Sequence, residues 1–148
     1  MGEDLADLIR NEDTTSRLWL ARAAAADLAA FHARGLWHGG AQIRNITLQD
    51  GELWRIDFEE NIGSTLSRPL AQAYELVQVL ASVASLRKLP DDVGRTLGKL
   101  ALEVYFECNP DPEVKARLRR LTRVLTFIAT PLRPLLGRLP SRDVQGFF

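Results

Sequence analysis

Two oxygen-bearing side chains, Asn45 and Asp57, lie at the two ends of a segment with the pattern of a β-hairpin. Asp50-Gly51 separates two runs of alternating apolar and polar residues, and this dipeptide favours a turn with positive φ at both central positions. A hairpin brings its ends together, so an amide oxygen and a carboxylate converge. Hard oxygen ligands of this kind hold Mg²⁺ on phosphate groups. The pattern therefore predicts a magnesium and phosphate site; a turn-pinning Asn45 and a strand-ending Asp57 are the alternative.

Other charged residues surround these two positions. Arg44 precedes Asn45 and either faces a phosphate or is a solvated arginine on an edge strand. Glu59 and Glu60 follow the second strand closely enough to place an acid near a metal. His38 begins the loop before the hairpin, and we expect it to be structural rather than an acid or base.

The ordered set of His38, Asn45 and Asp57-Phe58 resembles the catalytic loop and metal-binding segment of the protein-kinase-like phosphotransferase superfamily. The pattern of that superfamily is H-R-D-x-x-x-x-N, a β-hairpin and D-F-G. The loop is most similar to those of bacterial lipopolysaccharide-core and small-molecule kinases, which often read H-G-D. The resemblance implies ATP and Mg²⁺ as cofactors, with Asn45 and Asp57 as ligands. It also implies a hydroxyl on a sugar, lipid-sugar or protein as the phosphate acceptor.

Two positions depart from that pattern. Gly40 stands where the catalytic Asp is expected, and a general base is typically worth roughly 10²–10⁴-fold in rate. Glu59 replaces the glycine of D-F-G. The chain also contains no Gly-rich phosphate loop, and its first lysine is Lys88. Three functions therefore stay open: a phosphotransferase whose N-terminal lobe is supplied by a partner, a catalytically inactive, pseudokinase-type binding or regulatory module, and a helical membrane-surface protein in which the D-F match is accidental.

The elements that must position these residues are mainly helices. Apolar spacing and end signals predict helices over 2–10, 16–34, 70–86, 90–107 and 113–129. The third of these carries one acid, Glu75, which either anchors the backbone of the catalytic loop, as an Asp does in kinases, or is an ordinary helix carboxylate. We expect a mainly α-helical (α+β) domain over 1–148 with one small β-hairpin. It resembles a kinase-like C-terminal lobe without the N-terminal lobe, with 1–12 as the segment after the hinge.

Basic residues are concentrated in the C-terminal region 113–148. The net charge is zero, yet residues 1–113 carry 18 acidic and 11 basic side chains, whereas residues 114–148 carry one acidic and eight basic ones. An apolar stripe with an Arg-rich polar face predicts contact of residues 113–139 with an anionic membrane surface. A surface helix packed on the lobe is the alternative.

Composition limits the remaining classes of function. The basic region lacks interleaved aromatic residues, so nucleic acid is not expected as a partner. A single cysteine, Cys108, excludes an intramolecular disulfide and fits a reducing compartment. We therefore expect a cytoplasmic protein, with the inner membrane surface as a peripheral location if the basic helix docks there.

Overall fold

The computed structural model describes residues 2–57, 65–86 and 89–136, and the side chains of the last helix as far as residue 126. The chain is mainly helical with a small antiparallel sheet, which confirms the predicted fold class at this level. The elements in chain order are β1 (Glu3–Asp4), α1 (Leu5–Asn11), α2 (Thr14–Ala33), β2 (Ile46–Gln49), β3 (Glu52–Arg55), α3 (Arg68–Ala84), α4 (Asp91–Cys108) and α5 (Pro112–Leu136).

The sheet contains the predicted hairpin and one further strand. Asp50 and Gly51 have φ values of 52° and 81°, as a turn with positive φ at both positions requires, and β2 pairs with β3 on either side of them. β1, within the predicted helix or turn over 2–10, pairs antiparallel with β2 through Glu3 and Asp4. The Asp4 side chain accepts the backbone N–H of Ala6 at 2.7 Å, so the same residue ends the strand and caps α1.

The long helix α2 begins at Thr14, two residues before the predicted start at residue 16. Asp13 is the N-cap, and its carboxylate accepts the backbone N–H of Ser16 at 2.8 Å. The buried face of α2 is rich in alanine, which lets α4 pack closely against it. The hydrophobic core is formed between α1, α2, α3 and α4, with the first turns of α5 closing it.

Among the described side chains of α5, as far as residue 126, those near its start are packed on the core. Val114 and Leu118 are buried against α3 and its neighbours, whereas Val124 and Leu125 are exposed. The helix continues through Pro131 and Pro134, beyond the predicted end at residue 129, because a proline removes one backbone hydrogen bond rather than every bond of the turn. Among the described helices, none is long and apolar enough to cross a membrane.

Candidate functional site

The segment between α2 and β2, residues 34–45, lies across α3 and is called the α2–β2 loop below. Gly35, with φ of 76°, ends α2 as predicted, and Gly39, with φ of 90°, provides a second bend that other residues rarely adopt. Three side chains spaced along one face of α3 accept backbone N–H groups of this loop: Glu75 from His38 (2.5 Å) and Gly39, Gln78 from Ala41 (3.0 Å), and Ser82 from Ile43 (3.2 Å). Glu75 is therefore an anchor of the loop backbone rather than an ordinary helix carboxylate.

A buried chain of polar groups supports this anchor from behind. The second oxygen of Glu75 lies 2.8 Å from His32 Nε2, and His32 Nδ1 lies 2.7 Å from the Tyr105 hydroxyl. The Asn109 amide donates to the same hydroxyl at 3.2 Å. A carboxylate only accepts, so Nε2 of His32 carries the proton, Nδ1 accepts from Tyr105, and all donors point toward Glu75. The network thus joins α4, α2, α3 and the loop.

Both histidines of the chain are held in the neutral form. Burial lowers the pKa of His32, and the adjacent Glu75 carboxylate opposes this only in part. Burial likewise lowers the pKa of His38, and the charge of Arg55 adds to the effect. His38 Nδ1 accepts the backbone N–H of Gly40 at 3.2 Å, a bond that needs an unprotonated nitrogen. The His38 side chain thus helps to hold the backbone of the α2–β2 loop at Gly40.

These lowered pKa values predict that the fold loses stability on mild acidification. The unfolded chain binds protons at His32 and His38 near pH 6.5, whereas the folded chain binds them only at lower pH. The stability from both neutral histidines is therefore complete above pH 6.5 and is lost as the pH falls through their folded pKa values. Urea unfolding between about pH 5 and 8 measures this. Glutamine in place of His32 should reduce the slope, and an unchanged slope would contradict the assignment.

Asn45 and Asp57 lie at the same end of the hairpin. Asn45 is buried, and its side-chain Nδ2 donates to the backbone carbonyl of Gly40 at 2.8 Å. The backbone carbonyl of Asn45 accepts the backbone N–H of Ile56 at 2.9 Å. The amide nitrogen is thus committed to the loop, which makes the amide oxygen the atom suited to a cation. Asp57 is exposed and has φ of 58°, a left-handed conformation that is uncommon outside glycine and found most often at turns and functional sites.

The site supplies few protein ligands and no base at the expected position. Gly40 has no side chain, and its backbone groups contact His38 and Asn45. Within the described residues, no three His, Cys, Asp or Glu side chains are grouped to hold a metal ion. Phosphate oxygens and water would therefore complete the shell of an ion held by Asn45 and Asp57, as is usual for Mg²⁺. Glu59, Glu60 and Phe58 lie outside the described residues.

Arg44 is separated from the two predicted ligands. It is exposed and lines a cavity of about 220 Å³ together with Arg10 of α1, and neither Asn45 nor Asp57 lines this cavity. Arg44 is thus next to Asn45 in the chain, but the turn over Ile43–Asn45 leaves the side chain of Arg44 exposed and that of Asn45 buried.

Arg55 is a member of the site that the sequence does not single out. One of its terminal nitrogens donates to Asp27 at 2.5 Å, and its guanidinium lies 5.4 Å from the centre of the Phe31 ring. Its Nε and Nη1 are buried and have no hydrogen-bond partner in the described part of the chain. The only sequence signal is an arginine at an inward position of β3, where the alternation calls for an apolar residue.

Comparison of the chain with protein-family models, with curated proteins and with solved structures found no match in any of the three. A function is therefore inferred from the contacts of the α2–β2 loop and the hairpin, together with the resemblance of their sequence to a known family.

Proposed function

We propose that this chain is the C-terminal lobe of a kinase-like phosphotransferase and binds Mg²⁺ and ATP through Asn45 and Asp57. The observation that carries the proposal is the pair of hydrogen bonds that the backbone N–H groups of His38 and Gly39 donate to the Glu75 carboxylate. The resembled family has an acid on the corresponding helix for this purpose, and nothing in composition or hydrophobic periodicity requires a buried carboxylate there. Its presence supports a loop whose backbone must be held in one conformation.

A second feature supports a nucleotide rather than phosphate alone. Thr47 and Trp54 are cross-strand partners and share the outer face of the sheet, and Ile56 continues that face by strand alternation. Trp54 and Ile56 are 56% and 45% exposed. An apolar surface that ends at Asp57 suits the flat face of a purine whose phosphates extend toward the carboxylate.

In the proposed reaction, the metal ligands and the group that accepts the proton are different residues. The oxygens of Asn45 and Asp57 would hold Mg²⁺ on the phosphates, and the metal would supply charge neutralisation for phosphate transfer to a sugar, lipid-sugar or protein hydroxyl. Gly40 offers no carboxylate for the proton of that hydroxyl, so another group must take it, and Glu59 and Glu60 remain the candidates from the sequence. The absence of a side chain at Gly40 also favours the second candidate function, a nucleotide-binding module without catalysis.

Calorimetric titration with ATP and Mg²⁺ tests the proposal, with Asp57→Asn and Asp50→Asn as a matched pair. Both aspartates are exposed and have positive φ, which asparagine tolerates, so the pair differs in location alone. Loss of the Asp57 charge should weaken binding roughly 10- to 100-fold, whereas Asp50→Asn should leave it unchanged.

The outcomes separate the candidates. Equal affinity in all three proteins, or no binding to the unaltered chain, would overturn the proposed site. Binding that depends on Asp57 without phosphate transfer to any hydroxyl acceptor, in the presence of a supplied N-terminal lobe, would favour the non-catalytic module.

The proposed membrane contact of α5 is independent of the nucleotide site. Its exposed Val124 and Leu125 lie beside Arg120 and Arg123, a combination that suits an anionic bilayer surface. Equal flotation of the full chain with anionic and neutral vesicles would exclude that contact.

A further inference from the structure

A cavity of about 220 Å³ opens between α1, the α2–β2 loop and α3. Two guanidinium groups from different elements line it, that of Arg10 near the end of α1 and that of Arg44 in the turn before β2. The described residues that line the cavity include no Asp or Glu. Two like charges therefore face one open space, and none of its described lining residues is an acid.

We propose that this cavity is an oxyanion site that binds the phosphate or carboxylate group of a small molecule. An anion placed between the two guanidiniums reduces their mutual repulsion and accepts N–H bonds from both groups, and arginine is the side chain best suited to bind such oxyanions. A phosphate group fits within the volume of the cavity. The proposal does not depend on the nucleotide function proposed above.

Both arginines retain unsatisfied capacity for an anion. Arg10 pairs with Asp7 through one terminal nitrogen, while its Nε is buried and has no hydrogen-bond partner in the described residues. For Arg44, no ion pair is found within the described part of the chain. The charge of Arg10 is thus partly balanced, and that of Arg44 is free to act on a ligand.

The backbone that carries the two arginines is fixed before any ligand arrives. Ser82 accepts the N–H of Ile43, which holds the turn that contains Arg44 against α3. On the other side, Arg17 donates to the carbonyls of Ile9 (2.8 Å) and Arg10 (3.1 Å), which holds the end of α1. A preformed site of this kind loses less entropy when it binds.

The cavity is separate from the proposed metal ligands. Neither Asn45 nor Asp57 lines it, and the exposed side chain of Arg44 points away from the buried side chain of Asn45. The ligand of the cavity is therefore identified by its charge alone, as a small molecule that carries a phosphate or carboxylate group.

Titration of the full chain with inorganic phosphate and with glucose 6-phosphate, without nucleotide or Mg²⁺, tests the site. Arg44→Gln and Arg10→Gln should each weaken binding of both probes by about tenfold. Arg95→Gln is the matched control, since Arg95 is an exposed helical arginine on α4 that does not line the cavity, and it should leave both affinities unchanged. Thermal melts of each variant confirm that the fold is retained.

Each alternative result overturns one specific statement. The absence of phosphate binding would exclude the site. Equal weakening by Arg95→Gln would exclude it as well, because it would show only a general charge effect. Weakening by Asp57→Asn would place the anion at the metal site instead of the cavity. If phosphate binding depends on the two arginines but ATP does not bind, the oxyanion site is supported and the proposed nucleotide function is excluded. If ATP binds but phosphate binding does not depend on the two arginines, only the oxyanion site is excluded.

Discussion

Replacing Glu75 with alanine is expected to lower the free energy of unfolding by about 3–5 kcal/mol, one of the largest single-residue effects in this chain. The side chain is buried and accepts from His38, Gly39 and His32. Without it, two backbone N–H groups and one imidazole N–H lose their acceptor in a place that water does not reach, and each buried donor left unpaired costs about 1–3 kcal/mol. Urea unfolding at neutral pH measures the loss.

Two further variants separate the carboxylate from the volume it fills. Glu75→Gln keeps an oxygen for the two backbone donors but turns an amide NH₂ toward His32, so a loss smaller than that of alanine is expected. Gln72→Ala removes a side chain of similar size and burial from the same helix. The amide of Gln72 donates to the His32 carbonyl at 2.9 Å. If Glu75→Ala costs no more than Gln72→Ala, packing rather than the carboxylate holds the loop.

Local patterns were sufficient for the helices and the hairpin. Asp50-Gly51 specifies its turn because the backbone angles there exclude most other residues, and this requirement is visible in two letters of sequence. Where the predicted limits of an element differ from those of the structure, a contact outside the local pattern determines where the element begins. The short strand β1 forms because it pairs with the edge of β2, and α2 begins at Thr14 because the Asp13 carboxylate caps it there.

Local patterns could predict the candidate site only where its residues are close in sequence, and the distant residue Glu75 was proposed as an anchor only from the family resemblance. Asn45 and Asp57 are joined by a hairpin, so their approach followed from spacing. His32 and Tyr105 are 73 positions apart and meet because α2 packs on α4, a contact that no local pattern specifies. The one signal available was the row of polar residues on the otherwise apolar helix α3, comprising Gln72, Glu75, Gln78 and Ser82. Such a row in a buried helix indicates that backbone from another segment lies across it.

Changing Asn45 to aspartate should destabilise the chain without metal by about 2–4 kcal/mol and make its stability depend on Mg²⁺. The Asn45 amide donates to the Gly40 carbonyl at 2.8 Å, and a carboxylate at that distance would place two acceptor oxygens against each other. A divalent cation relieves that repulsion if the side chain faces the metal site, because it binds a carboxylate more strongly than an amide. The midpoint of urea unfolding with and without Mg²⁺ measures both effects.

Asn109→Asp is the matched control for this substitution. The Asn109 amide donates to the Tyr105 hydroxyl at 3.2 Å, but Asn109 is only half-buried, so a carboxylate at this position can turn toward solvent and leave the Tyr105 proton on His32. Asn109→Asp should therefore cost less than Asn45→Asp and show no response to Mg²⁺. A Mg²⁺ response of equal size in both variants would reflect general charge screening. The absence of a response in Asn45→Asp, with the expected loss of stability, would mean that Asn45 organises the loop without binding a metal.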